Sequence, residues 1–163
     1  MRYEDKIPFL QGVFPELISH FQAGDKVSVV TYSDKATVLM EDVAPEDTTT
    51  IQTQLGKLEA EGKSFVVVGL QKAYQVAASN FVEGGNNQVV LITDGAFPLH
   101  TELAACIREG NRKGIRLSTF YLGNQEDKAR PRLSQLSDLG KGHYASVRSL
   151  ESNELLREEL LFK

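Results

Sequence analysis

Gln88-Val89-Val90-Leu91-Ile92-Thr93-Asp94-Gly95 is the stretch whose reading decides the fold. Val89 to Ile92 are all apolar and mostly β-branched, so no side of the segment is left for water, as in a strand buried on both faces. Such strands belong to parallel sheets covered by helices. The Asp-Gly that follows marks where the chain leaves the sheet.

Working outward, the chain alternates helix and strand. Ile7, Leu10, Phe14, Leu17, Ile18 and Phe21 recur at helical spacing and predict a helix with one buried stripe. Pro8 suits a first turn, whereas Pro15 is expected to kink that helix or delay its start. Gly24-Asp25 closes it. Val27-Ser28-Val29-Val30-Thr31-Tyr32 reads as a strand buried on both faces, and Ser33-Asp34-Lys35 as a tight turn into an antiparallel edge strand over Ala36 to Glu41. Pro45-Glu46-Asp47-Thr48 opens a second helix carrying Ile51, Leu55 and Leu58, with Asp47 as its cap. The loop Glu61-Gly62-Lys63-Ser64 leads to a third helix through Leu70, Ala73, Tyr74, Ala77 and Phe81, closed by Gly84-Gly85-Asn86-Asn87. After the decisive strand come a helix over about 100–113, a strand over Ile115 to Leu122 and a helix near 128–139. A short strand over Gly142 to Val147 and a terminal amphipathic helix on Leu150, Leu155, Leu156 and Leu160 complete the pattern.

No repeat, low-complexity tract or long linker interrupts the pattern, so residues 1–163 read as a single domain. Strands separated by helices imply a three-layer, Rossmann-like α/β fold with a mostly parallel sheet and one antiparallel edge strand. In such sheets ligands bind beyond the carboxyl ends of the strands. Ser33-Asp34, Asp94-Gly95 and Gly123-Asn124 are therefore expected along one rim, with Ser64 reaching it from the loop before the third helix.

Composition narrows the function classes. A net charge of −4 gives nothing to neutralise a row of phosphates and argues against nucleic-acid binding. The basic residues Arg108, Arg112, Lys113 and Arg116 fall where a helix ends, which suits the helix dipole. Cys106 is the single cysteine, so neither a disulfide framework nor a cysteine zinc site is available, and it fits the apolar face of a helix. No run approaches the roughly 20 apolar residues that span a bilayer. The charged start Met1-Arg2-Tyr3-Glu4-Asp5-Lys6 leads into no signal-peptide core, so with Met1 as the true start the chain reads as soluble and cytoplasmic.

Asp94 is the first chemical candidate, because a carboxylate at the mouth of a sheet suits a hard cation, and Ser64 offers a hydroxyl to the same ion. Thr-Asp-Gly after a strand is also an ordinary turn. His20 reads as a surface residue, His143 as packed or exposed, and His100 as the sole basic neighbour for an enzyme built on Asp94. That enzyme would be a small hydrolase or phosphoryl-transfer domain needing a second acid, base or nucleophile, which the chain does not visibly offer. Gly62-Lys63-Ser64 resembles the end of a phosphate-binding loop, but the motif's first glycine falls on Lys57 in a helical stretch.

The order of segments adds to this. Asp25 to Tyr32, the hairpin, Leu58 to Ser64, Gly69-Leu70-Gln71-Lys72-Ala73-Tyr74, Val89 to Gly95, Gly114 to Phe120 and Gly140-Lys141-Gly142-His143-Tyr144 together resemble a von Willebrand factor A domain of the bacterial type. The resemblance runs from about Lys6 to Leu156. It implies a protein-interaction module and not an enzyme, with a metal-ion-dependent adhesion site in which a divalent cation, usually Mg2+, bridges to a partner's carboxylate. Within that site Ser64 matches the family's threonine and Asp94 the aspartate of its Thr-Asp-Gly. The Asp-x-Ser-x-Ser run that supplies the remaining ligands is missing, and Phe65-Val66-Val67-Val68 stands where metal-binding members carry small and polar residues.

The resemblance also implies that Met1 matches the methionine following that run, so that the domain lacks its first, central strand. Metal binding is then expected to be weak or absent. The partner-binding rim of Ser33, Asp34 and Gly95 would act by direct polar contact, or the domain would serve as a metal-free scaffold. The strands around Val29 and Leu91 must pair directly, recruit another chain, as in a strand-sharing homodimer, or leave a gap.

Overall fold

The structure, a computed structural model, describes residues 3–19, 21–59, 65–95, 97, 101–122 and 126–146. Ser64, His20, His100, Gly123-Asn124 and the expected terminal helix lie outside the described residues.

Helix α1 (Tyr3–Ile18) leads into β1 (Val27–Tyr32) and β2 (Ala36–Val43), followed by α2 (Thr48–Leu55) and α3 (Val66–Ser79). Then β3 (Asn87–Thr93), α4 (Thr101–Arg112), β4 (Ile115–Tyr121), α5 (Glu126–Leu139) and β5 (Lys141–Ser146) alternate. α1 runs through both Pro8 and Pro15, so Pro15 does not delay its start. Each proline costs a backbone hydrogen bond, and apolar packing offsets that loss: Leu10, Phe14 and Ile18 all dock on the strands or their neighbours. Asp47 caps α2 as expected, accepting from the Thr50 amide at 3.1 Å.

β3, β4 and β5 form a parallel sheet in that order, in register from Asn87↔Ile115 to Thr93↔Tyr121 on the first pair. β1 and β2 pair antiparallel around the turn at Ser33–Lys35, where the Ser33 amide donates to Lys35 O at 2.9 Å. No ladder joins β1 to β3, so the two strands do not pair directly.

Strand alternation sorts the core into two faces. Val89, Leu91, Ile115, Leu117 and Tyr121 pack against α3, α4 and α5 through Leu70, Tyr74, Leu103, Ile107 and Leu133. On the other face Phe120, Leu122 and Ala145 meet Leu10 of α1, and Val27 and Met40 meet Ile18, Ile51 and Leu55. Three layers result.

Two expectations are corrected by this arrangement. β1 is not buried on both faces: Val27 is buried, but Val29 to Tyr32 are half-buried, because the side away from β2 has no neighbouring strand. Phe81 falls beyond the end of α3 and is exposed, with its ring lying by Gly114. Cys106 packs against the core from α4, half-buried, and burial pushes its thiol up from the usual range. Arg112 and Lys113 pair with Glu109 at 3.3 and 3.4 Å on the exposed face of α4, and Arg116 donates to Asn86 Oδ1. Arg112, Lys113 and Arg116 are thus engaged locally.

Candidate functional site at the carboxyl ends of β1 and β3

β1 and β3 end on the same side of the molecule. Tyr32, the last residue of β1, lies beside the Thr93 side chain and within electrostatic reach of Asp94. α3 is pressed against Tyr32 so closely that a Cβ on Gly69 would stand 2.7 Å from the ring. The same helix start is tied to the hairpin, since the Phe65 amide donates to Ser33 O at 3.2 Å. Segments far apart in the chain therefore converge here: the Ser33-Asp34 turn, the residue that opens α3, and Thr93-Asp94-Gly95.

The turn after β3 is built to hold one shape. The Gly95 amide donates to Thr93 Oγ1 at 3.2 Å, a local side-chain bond that folds the chain back on the strand end. Gly95 has φ +73°, a left-handed value that suits glycine, and it is buried against Ala129 of α5. Arg132, also on α5, donates to Gly95 O at 3.2 Å and to Phe97 O. Asp94 is left half-buried between these anchors.

Of the residues singled out from sequence, Ser33, Asp34, Asp94 and Gly95 occupy this end of the strands. Ser33 and Asp94 are half-buried, Asp34 is exposed, and Gly95 is buried with its backbone committed to Arg132. His143 lies in β5 with an exposed side chain, and its amide donates to Ser118 Oγ.

Arg132 and Tyr32 were not identified from sequence. Arg132 acts on carbonyls 37 and 35 residues away, and no local pattern signals such a contact. Tyr32 looked like one more apolar strand residue. Replacing Arg132 by alanine leaves two carbonyls without a charged donor, and the expected cost is about 1.5–3 kcal/mol in urea unfolding. Faster amide exchange at Gly95 and Phe97 should accompany it. A loss below about 0.5 kcal/mol, as for an ordinary surface change, would show that Arg132 holds nothing.

Tyr32 reports on the electrostatics of the rim. Burial pushes its hydroxyl above the usual tyrosine value, the Thr93 side chain acts in the opposite sense, and the charge of Asp94 adds to the rise. Asp94→Asn is therefore expected to lower the Tyr32 midpoint in an ultraviolet titration while leaving it raised, because burial is the larger cause. The sign for stability follows. A hydroxyl whose folded pKa exceeds the unfolded value of about 10 contributes fully below pH 10, and that contribution is lost as pH rises through the folded value. If Asp94→Asn leaves the Tyr32 titration unmoved, the two groups do not share a rim.

The described residues are a poor fit for a self-sufficient magnesium site. Among them no group of three or more histidine, cysteine, aspartate or glutamate side chains is placed to hold an ion. Magnesium asks for near-octahedral oxygen coordination, and Asp94 with the Ser33 hydroxyl falls well short of it.

Residues 8–96, more than half of the chain, match the model of the von Willebrand factor type A domain. The uncharacterized protein YfbK of Escherichia coli is 26% identical over 162 residues, covering 96% of this chain but 28% of YfbK, so the chain spans little more than a quarter of that relative's length. Among solved structures, an aerotolerance-related membrane protein from Bacteroides fragilis superposes with a TM-score of 0.76 at 14% identity, over 95% of this chain and 88% of that one. Proximal thread matrix protein 1 from the mussel byssus, with a zinc-occupied MIDAS motif, superposes at 0.70 with 17% identity, over 96% of this chain and 42% of that one. At these identities the solved structures speak for the fold. The family match, the relative covering nearly the whole chain and the three-layer architecture agree, and this chain belongs to the von Willebrand factor type A domain family.

Proposed function

We propose that residues 1–163 act as a single protein-interaction domain, and not as an enzyme. Its contact surface is the rim carrying Ser33, Asp34, Asp94 and Gly95, with Ser64 placed beside Asp94 as the family's pattern implies. The observation that supports this most is the anchored turn at Thr93-Asp94-Gly95, which presents a half-buried carboxylate from a rigid support at the strand ends. Phe65 and Val68, 51% and 39% exposed, add an apolar ledge one helical turn apart beside the Ser33 turn. A rigid polar group beside exposed apolar side chains is the makeup of a protein contact.

Of the positions that the family uses for cation-bridged capture of a partner carboxylate, this sequence carries Ser64 and Asp94. Two carboxylates repel without an intervening ion, so a partner engaging this rim directly presents hydrogen-bond donors to Asp94 and Asp34. The family's domains are generally interaction modules. An enzyme built on Asp94 would need a second acid, base or nucleophile placed beside it to carry a proton or attack a substrate.

Thermal melting with Mg2+ or Mn2+, compared between the native chain and Asp94→Ala, tests this reading. A site with a dissociation constant on the order of 10 mM adds about 0.4 kcal/mol at an equal metal concentration. For a domain of this size that is a shift of about 1 °C, and it should vanish in Asp94→Ala. A metal-dependent rise of about 5 °C or more, lost in Asp94→Ala, would mean a complete adhesion site. Turnover of simple phosphate or acyl esters lost on the same substitution would reinstate the enzyme, and no metal shift at all in a folded chain would fit the metal-free scaffold.

A further inference from the structure

α3 and α4 pack side by side over the parallel sheet, and a groove of about 690 Å3 opens between them. Its width follows from small residues on both walls, Ala78 of α3 and Ala105 and Gly110 of α4. Tyr74 reaches across from α3 and lies on the α4 backbone, where a Cβ on Gly110 would stand 2.6 Å from its Cζ. The tyrosine ring thus forms part of the groove's floor.

On that floor one polar atom has nothing to bind. Tyr74 is 7% exposed, and its hydroxyl is buried with no hydrogen-bond partner. Burial pushes this hydroxyl above the usual tyrosine range and Cys106 adds to the rise, which sets the thiol beside it. Cys106 is itself half-buried and lines the same groove. A buried hydroxyl without a partner weakens the fold, and a phenylalanine would fill the same space without that loss. The wall adds a charge. Glu102 stands one helical turn before Cys106 on α4, about 6 Å along the axis, and lines the groove with no ion pair among the described residues. Glu109, on the same wall, is already paired with Arg112 and Lys113. The uncompensated charge of the groove is therefore the Glu102 carboxylate.

We propose that the α3–α4 groove binds a small amphiphilic cation, whose carbonyl accepts from the Tyr74 hydroxyl and whose amine meets Glu102. Its size falls within the range of about 300–1,000 Å3 usual for small-molecule sites. One helical turn between the two anchors asks for a carbonyl and an amine about 5–6 Å apart. The apolar body of the ligand lies on Ala78, Ala105 and the Tyr74 ring. Cys106 turns about a single side-chain bond, and that rotation uncovers the hydroxyl. An anion would be repelled by Glu102. A peptide strand is the poorer occupant, because its successive amides need partners and the floor offers one hydroxyl. The groove shares no residue with the rim described above, and either reading can fail without the other.

Cys106 is the single cysteine, so the rate of its alkylation by N-ethylmaleimide reads the groove alone. The probe is procainamide, an aromatic amide whose tertiary amine is protonated at neutral pH. At about 5 mM, with a dissociation constant on the order of 1–5 mM, it slows the alkylation about two- to sixfold. Tyr74→Phe raises the melting temperature of the free chain by about 2–4 °C. The same substitution weakens procainamide binding about fivefold or more, as does Glu102→Gln. Benzamide, which keeps the carbonyl and lacks the amine, protects Cys106 less. The proposal is overturned if procainamide leaves the alkylation rate unchanged, or if Tyr74→Phe binds it as tightly as the native chain. Equal protection by benzamide would also overturn it, because Glu102 would then recognise nothing. A Tyr74→Phe chain that melts no higher than the native one would mean that the hydroxyl already has a partner, and the proposal would fall with it.

Discussion

Gly95→Ala is expected to unfold at markedly lower urea concentration, with a loss of about 2–5 kcal/mol. Two separate costs combine. An alanine held at φ +73° adopts a left-handed conformation that costs about 1–2 kcal/mol. Its Cβ would also lie 2.7 Å from the Cβ of Ala129, a stub with no rotamer by which to retreat, and overpacking of that kind costs about 1–3 kcal/mol. A second substitution separates the terms, because Ala129→Gly in the Gly95→Ala background removes the steric cost and leaves the conformational one. Recovery of about half the lost stability is the expected result. Full recovery would mean the backbone is not strained, and no recovery that α5 does not press on the turn. Because Asp94 precedes this glycine, the substitution should also disturb the influence of Asp94 on the Tyr32 titration.

Phe120→Ala should have the largest effect of any single truncation on the α1 side of the parallel sheet. Phe120 is 1% exposed and packs with Leu122, Ala145, Val90, Ile92 and Leu10. Removing a buried phenylalanine leaves a cavity and costs about 3–5 kcal/mol, or about 6–20 °C in melting temperature for a chain of this length. Leu10 of α1 packs against this cluster, so the amides of α1 should exchange faster in the variant than in the native chain. The half-buried Val90, truncated to alanine, should cost clearly less than Phe120. A loss near 1 kcal/mol for Phe120→Ala would mean that α1 is not docked on the sheet.

The elements themselves were legible because their signals are local. Val89 to Ile92 could only be an interior strand, and β3 forms where that run lies. The alternating Ala36, Val38 and Met40 produced the antiparallel β2, and Asp47 capped α2 through a bond spanning three residues. The placement of Ser33, Asp34, Asp94 and Gly95 at one end of the strands followed from topology, since ligand-facing loops of a parallel sheet share its carboxyl side. Arg132 was invisible for the opposite reason. Its partners are carbonyls on a different element, and a carbonyl carries no side-chain identity for a sequence pattern to register.

By itself, the sequence determined the alternation of helix and strand, the parallel core and the family's order of segments. Periodicity and β-branching act through neighbours a few residues apart, and hydrophobic burial then selects the layers. Only the tertiary structure decided that β1 and β3 stay unpaired beneath α1 and above α3, and that Tyr32, Asp94 and Arg132 belong to one end of the molecule. Those outcomes depend on packing two whole helices across two sheets, and on contacts that span tens of residues. Such energies are properties of the assembled fold and of no segment within it.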